Sequence, residues 1–431
     1  MSESGSVHFR PRNVGRWAVW GGYALVLLLA PLVLRSSLAQ TLLSQMGIAI
    51  IACLAYNILL GQGGMLSFGQ SVYSGLGGFL AIHALNLVGA GKLGLPVSLV
   101  PLAGGAAGLF LAAVLGYVTT RKSGTPFAMI TLGLGELVWS MSLMLPEFFG
   151  GEGGVTANRV VAPARLGITF GPQIEVYYLI AAYCFVATAL MFAFTRTPLG
   201  RMLNAVRDNP ERVAFIGYDP QRVRWLAFMI SGLFAGIAGG LAALNFELAT
   251  AEGVGAQRSG AVLLFTFIGG SSSFFGPILG GVLMVLATGV LSELTKAWLL
   301  YLGLAFVLMV MFAPGGVAGL ILAGRRLAAA GRLRPLLPGL LALALSGAIA
   351  LTGAGAMVEM LYHLQLNEAL GPIMSFGGVQ LDAAGPAAWV GAGVLLVVGA
   401  AAFELARRRF RVRRDAVHGE IERESRSKDA A

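Results

Sequence analysis

Charge is scarce in this chain. Only 12% of its 431 residues are charged, against 57% hydrophobic. A soluble domain carries about 25% charged residues, so an ordinary water-exposed globule is excluded. Histidine and cysteine are rarer still. His8, His83, His363 and His418 are scattered, and none has a second ligand at helical spacing. Cys53 and Cys184 lie inside apolar runs, without the spacing of a metal site, and read as small core residues. No hydrolase constellation is legible, and no metal ligands are assigned. Nothing reads G-x-x-x-x-G-K-S/T, so the chain does not cradle ATP phosphates itself. The short alternating segments of a β-barrel are missing as well.

What is present is a series of apolar runs of about twenty residues, each long enough to cross about 30 Å of hydrocarbon. The chain therefore reads as an all-α polytopic membrane protein. Its 61 glycines suit close helix packing in lipid. The net charge of +10 does not point to nucleic acid. The arginines gather in loops and tails expected in the cytoplasm, where basic loops are retained.

Residues 1–16, with Arg10, Arg12 and Arg16, form a polar cytoplasmic N-terminus. Trp17–Leu34 is the first span. Ser37-Leu38-Ala39 loosely resembles a cleavage site, but the run exceeds a signal core and another span follows at once. Further spans are expected at Leu38–Leu60, Ser71–Leu87, Leu95–Val118, Thr125–Leu145 and Val176–Phe194, with a seventh ending near Phe246. Pro146–Glu175, with Arg159 and Arg165, is glycine-rich without basic excess and belongs outside. Ser259–Ser292 is interrupted by the glycines and proline of Gly269–Pro277. Two short crossings and a re-entrant hairpin both fit. Ala297–Ala313 returns inward at Pro314, closing a transmembrane domain over residues 17–319. A basic linker over 320–335, with Arg325, Arg326, Arg332 and Arg334, leads to an extra two-span region, 336–406. Its spans are Leu336–Ala356 and Ala387–Leu405, and the loop carrying Glu359, Glu368 and Asp382 belongs outside. The tail, 407–431, opens with RRRFRVRR and should be cytoplasmic. It has the composition of a disordered segment. Its basic cluster either anchors topology or touches anionic lipid.

Three stretches are candidate functional elements. The first is the charged element Thr195–Trp225. Asn209 can cap a helix that starts at Pro210, Gly217 can stop it, and Asp219-Pro220 repeats the start signal. Two short helices, about Leu199–Asp208 and Pro210–Ile216, are expected. They form either a rigid cytoplasmic docking surface or an amphipathic loop on headgroups. The second is Gly61–Gly78, GQGGMLSFGQSVYSGLGG, where Gln62, Ser67 and Gln70 interrupt apolar sequence. It is either a cytoplasmic turn or non-helical backbone lining a wet route. The third is Glu136, in mid-span. A carboxylate there costs roughly 2.5–3.5 kcal/mol, so it should face protein or water. It contacts substrate or holds neighbouring helices, and Thr131 lies off its helix face. Asn57 in the second span invites the same two readings. Ser67-Phe68-Gly69 and Phe274-Phe275-Gly276 each follow a glycine pair and precede another, a weak internal echo.

These stretches resemble one family. Gly61-Gln62-Gly63-Gly64-Met65-Leu66-Ser67-Phe68-Gly69-Gln70 is similar to a glycine-rich stretch of the permease subunits of branched-chain amino acid ABC importers, the LivM/LivH type and nearer LivM. Pro126-Phe127-Ala128-Met129-Ile130-Thr131-Leu132-Gly133 with Glu136 resembles that family's Tyr-Phe-Ala-x-x-Thr-Leu segment. Pro198-Leu199-Gly200-Arg201, Ala205-Val206-Arg207-Asp208-Asn209 and Ile216-Gly217 resemble its coupling loop. Gly269-Gly270 through Gly276-Pro277-Ile278-Leu279-Gly280 resembles its late glycine-proline motif, with Ser271-Ser272 as a departure. The matches span about Leu38–Gly319.

The resemblance implies a bundle of about ten helices in two related halves, with broken or re-entrant segments. It implies a heterodimer with a second permease, two cytoplasmic ATPases that carry ATP and Mg, and a periplasmic solute-binding protein. No cofactor is expected on this chain, and no catalytic residue. The place implied is the bacterial inner membrane, multi-pass, with both termini cytoplasmic. Gly200, Arg201, Ala205, Arg207, Asn209, Pro210, Glu211 and Gly217 would meet an ATPase. Asn57, Gln62, Gly63, Gly64, Ser67, Gly69, Gln70, Thr131, Glu136, Gly269, Gly270, Gly276 and Pro277 would lie along the translocation pathway. An autonomous secondary transporter or channel is the alternative. An integral-membrane enzyme is remote, for want of paired acids or histidines. The two extra C-terminal spans exceed the usual family ending; they pack laterally or receive another partner.

Overall fold

The computed structural model describes residues 14–160, 169–295, 297–313, 315–329, 333–366, 371–376 and 379–429. Expectations for Arg10, Arg12, Arg165, Pro314, Arg332 and Glu368 lie outside those residues. The fold is all-α apart from two short strand pairs. Among the described residues, eight helices are long and apolar enough to cross a bilayer. A pair bent by 49°, Trp298–Phe312 with Gly316–Arg325, adds a ninth, and Trp17–Val33 and Gly276–Leu291 are shorter apolar helices.

The chain divides into two compact units. The larger, Met1–Val290 with Phe306–Gly319, holds the functional candidates. Its helices are α1 Val14–Val33, α2 Ser37–Asn57, α3 Gln70–Gly89, α4 Val100–Thr119, α5 Thr125–Met144 and α6 Gln173–Arg196. Then come α7 Pro198–Asp208, α8 Pro210–Phe215, α9 Pro220–Phe246, α10 Ala256–Gly269 and α11 Gly276–Val285. Helix α2 continues as a π-helical turn, Ile58–Gln62. Strands β1 Val155–Thr156 and β2 Leu248–Ala249 pair antiparallel.

Glycine spacing explains why α3, α4 and α9 form the densest contact. Gly104 and Gly108 of α4 and Gly232, Gly236 and Gly240 of α9 repeat every fourth residue, so each set lines one helix face. Cβ atoms added there would meet backbone: Gly108 faces the Gly232 carbonyl, Gly236 faces that of Gly104, and Gly240 faces Pro101. On the other side of α9, Gly239 lies against the Ser74 carbonyl of α3. Without lipid-driven attraction between helices, such close approach supplies the dispersion contacts that hold them. Trp225 Nε1 donates to the Ala113 carbonyl at 2.8 Å and ties α9 to α4 at the other end.

The interrupted Ser259–Ser292 stretch forms a hairpin. Helix α10 has 14 residues, or about 21 Å at 1.5 Å per residue, which is short of a crossing. Its turn, near Ser271, sits against Gly61 at the end of α2. Helix α11 and the π-helical stretch that follows it, Leu286–Leu291, run back along α2, with Gly281 against Ile50 and Gly289 against Leu42. Gly270 (φ 111°) and Gly316 (φ 65°) meet at the hairpin's turn, in backbone conformations that side chains disfavour.

The second unit comprises Leu291–Ala305 and Leu320–Ala431. Its long helices are α14, Leu333–Leu366, and α15, Pro386–Asp429, numbered after α12 Trp298–Phe312 and α13 Gly316–Ala329, which run across the two units. A β-hairpin, β3 Ile373–Phe376 with β4 Val379–Asp382, joins them. Met360 and Ala383 are fully buried beneath it. Two expectations are corrected here. Glu359 lies within α14, not in a loop, because the helix continues to Leu366. There it accepts hydrogen bonds from Thr295 and Tyr301. The tail is helical to Asp429, not disordered. Its Glu, Arg and Lys are strong helix formers, and Glu404 pairs with Arg407 and Arg408 at helical spacing. Polar composition alone did not separate a solvated helix from a flexible chain.

Candidate functional site: the coupling element and the glycine-rich turn

The charged element folds as its punctuation predicts. Helices α7 and α8 match the expected pair within a residue at each end. Asn209 Oδ1 accepts from the Arg212 amide at 3.0 Å, and Asp219 Oδ1 from the Gln221 amide at 2.8 Å. Gly217 is left-handed (φ 89°). Thr197 is a third cap, unpredicted, accepting from the Gly200 amide at 3.2 Å. Each such cap contributes about 1 kcal/mol. Gly200 packs on the Phe194 carbonyl, so α7 folds back tightly beneath α6.

Helix α7 is amphipathic. Gly200, Leu203 and Val206 are buried, while Arg201 and Ala205 face outward. Its inner edge grips the end of α2. Arg207 donates to the Gly61 carbonyl at 2.5 Å, and Asn204 Nδ2 to Gln62 Oε1 at 2.9 Å. Gly64 (φ 62°) lies against the Arg207 stem. Gly61 lies in the last turn before the helix ends, where carbonyls have no intrahelical partner, so its oxygen is left for a guanidinium. Beyond this contact, Glu211, Arg212, Phe215, Ile216 and Tyr218 are exposed, Phe215 to 89%.

The glycine-rich turn is packed inside the larger unit. Tyr56 donates to the Ser67 carbonyl at 2.9 Å, and the Phe68 amide donates to Thr131 Oγ1 at 3.1 Å. Gly69 lies directly on the Thr131 carbonyl. Gln70 donates to Ser231, which donates to the Ala55 carbonyl. Ser71 is bound to Ser259 through both its amide and its hydroxyl. Asn57 Oδ1, Ser67 Oγ and Gln70 Oε1 are buried without a partner among the described residues. An unsatisfied buried polar atom costs about 1–3 kcal/mol, so this is the least satisfied part of the core.

The structure thus brings Asn57, Gln62, Gly63, Gly64, Ser67, Gly69, Gln70 and Thr131 together around the α2 end. Gly269, Gly270, Gly276 and Pro277 are buried at the two ends of the hairpin turn, which reaches the same place through Ser271. Glu136 stands apart. It is exposed on the outer face of α5 with Met129, Gly133 and Leu137, and makes no hydrogen bond among the described residues. It therefore does not hold the helices of this chain together. Ser71, Asn204, Ser231 and Ser259 escaped the sequence reading. A polar residue inside an apolar run was the available signal, but it does not name a partner.

Between α7, α8, α9 and the two adjoining turns lies a cavity of about 210 Å³. Among the described residues no cluster of His, Cys, Asp or Glu could hold a metal ion. The arrangement offers a mechanical contact from an exposed helix pair to a polar turn inside a bundle.

Comparison with known proteins agrees with that picture. The family described as "Branched-chain amino acid transport system / permease component" matches residues 38–314. The chain is similar to the high-affinity branched-chain amino acid transport system permease protein LivM of Salmonella typhimurium. The identity is 29% over 295 residues, covering 63% of this chain and 67% of the relative. It is 24% identical to the probable branched-chain amino acid transport permease protein LivH of Methanocaldococcus jannaschii, over 59% of this chain and 82% of the relative. The fructose import permease protein FrcC of Rhizobium meliloti is 23% identical over 45% of this chain and 55% of its own length. No solved structure matches. An all-helical bundle, a buried glycine-rich turn, an exposed helix pair fastened to it and a family match over most of the length agree: the chain belongs to the branched-chain amino acid transport permease family.

Proposed function

We propose that this permease is the translocation subunit of an ATP-driven importer for branched-chain or other amino acids. It works as a heterodimer with a second permease, two ATPase subunits that bind ATP and Mg at the cytoplasmic side, and a periplasmic solute-binding protein. It performs no chemistry of its own. Its setting is the bacterial inner membrane, with both termini in the cytoplasm.

The observation that carries this reading is the grip of α7 on the end of α2, through Arg207 to Gly61 and Asn204 to Gln62. A push on the exposed α7–α8 pair reaches the glycine-rich turn without passing through a flexible link. The three unpaired buried oxygens and the turn of the hairpin adjoin that stretch, which suits backbone that rearranges along a route. The direct test is reconstitution in proteoliposomes. Uptake should require the ATPases, ATP and the binding protein. Uptake by this chain alone would make it an autonomous transporter instead.

The outer face of α5 is assigned to the second permease, with Glu136 at the shared route, since a mid-span carboxylate needs protein or water. Glu136→Gln should keep most of the uptake rate, because the amide retains hydrogen bonding. Glu136→Leu should lower it about tenfold, roughly 1.4 kcal/mol of barrier. Initial uptake rates of the two variants decide. Equal full activity in both would remove Glu136 from the route.

A further inference from the structure

We propose that the cavity behind the coupling helices is a socket for one carboxylate side chain of the ATPase. This deepens the reading above and rests on it. Arg207 reaches the cavity from α7 and Arg224 from α9; Gly63, Gly64, Ser123 and Gly124 supply its turns. No acidic residue lines it. At about 210 Å³ it is smaller than the roughly 300–1,000 Å³ of a small-molecule site. It suits a side chain and excludes a nucleotide.

Arg224 is the reason to expect an anion. It is half-buried and makes no hydrogen bond or ion pair among the described residues. Asp219 acts on Arg224 through its charge but forms no ion pair with it, and neither Asp208 nor Asp219 lines the cavity. Asp208 pairs with Arg207 at 3.0 Å but is 68% exposed, and Asp219 pairs with Arg222 at 3.4 Å while capping α9. A partly desolvated guanidinium that has only the longer-range charge of Asp219 to balance it, and no hydrogen bond or ion pair among the described residues, is costly, and its planar fork favours a carboxylate. Gly124 lines the cavity, and its left-handed backbone (φ 67°) leaves free space where a side chain would stand. It also touches Gly63 and Gly64, the residues against α7. A carboxylate entering there would touch the coupling helices, the glycine-rich turn and α9 at once. Such a peg would tie ATPase movement to all three.

The test uses the purified complex with its second permease and ATPases, reconstituted in vesicles of neutral and of anionic lipid. Arg224→Glu is expected to lower ATPase co-purification and coupled uptake at least tenfold, with Arg224→Gln intermediate and Arg224→Lys near wild type. Monodisperse elution of the permease dimer shows that each variant has folded. One Asp→Arg or Glu→Arg substitution on the ATPase should restore Arg224→Glu. A cysteine at that ATPase position should form a disulfide with Arg224→Cys. Full coupling in Arg224→Glu, or no restoring substitution at any acidic surface residue, overturns the socket. So does a defect that vanishes in neutral lipid, which assigns the site to headgroups, or wild-type coupling that needs added inorganic phosphate, which assigns it to a free anion. A wild-type chain that binds no ATPase would defeat the importer reading itself.

Discussion

Gly239→Val should leave almost no folded permease to purify. A Cβ at this position falls on the Ser74 carbonyl oxygen, a backbone atom that cannot rotate away. Neither helix is free to retreat. On α9, Gly236 rests on the Gly104 backbone and Gly240 on Pro101, while Gly77 of α3 is wedged against the Gly104 carbonyl and Gly236. The added atoms must therefore open the α3–α9 contact along its length. Overpacking typically costs about 1–3 kcal/mol; here the obstacle is backbone on both sides, so the effect belongs at or above the top of that range. The consequence reaches the site, because α9 also carries Ser231, the partner of Gln70. Gly21→Val is the control, since nothing lies within 4 Å of a Cβ at that position. Size-exclusion profiles after heating the detergent-extracted protein would show both effects. Equal survival of the two variants would mean that the α3–α9 approach is not what holds this bundle.

Local signals were the ones the sequence displayed well. Asn209-Pro210 and Asp219-Pro220 predicted two helix starts because a cap acts over three residues, and both caps formed. The apolar runs predicted spans because hydrocarbon thickness fixes their length. Long-range partners were hidden. Nothing near Gly61 announces that its carbonyl belongs to Arg207, 146 residues later. The glycine-rich turn was marked as special by composition, yet whether it was surface or core depended on Tyr56, Thr131 and Ser231 meeting around it. Glu136 shows the reverse case. Its cost in mid-span is readable from one residue, but the face it occupies depends on which side of α5 packs inward, and that side carries Phe127, Ala128, Thr131, Gly135 and Val138. The four-residue glycine spacing of α4 and α9 is legible in the sequence, but glycine content alone does not say which helix each face meets.

Arg207→Glu should separate ATP hydrolysis from uptake while the protein still inserts. The substitution does three things at one contact. It removes the donor to the Gly61 carbonyl, sets a carboxylate against that oxygen, and leaves Asp208 without its partner. Two acceptors facing each other repel, and a hydrogen bond to a charged group is worth about 1.5–3 kcal/mol. Loss of that order lowers coupled uptake roughly 10- to 100-fold. Arg207 also lines the proposed socket, so some ATPase should be lost, but basal hydrolysis per bound ATPase should persist, because the exposed surface at and after α8, with Phe215, Ile216 and Tyr218, is untouched. Asn204→Ala tests the neighbouring contact to Gln62. If both contacts carry the same movement, the double variant should be no worse than Arg207→Glu alone, whereas independent contacts would add. Arg207→Lys keeps the charge but loses the fork and should fall between. The decisive quantity is substrate moved per ATP hydrolysed in proteoliposomes. A ratio unchanged in Arg207→Glu would show that force enters the bundle elsewhere, for instance where Gly200 packs beneath α6, and that the grip on the π turn is only a structural fastening.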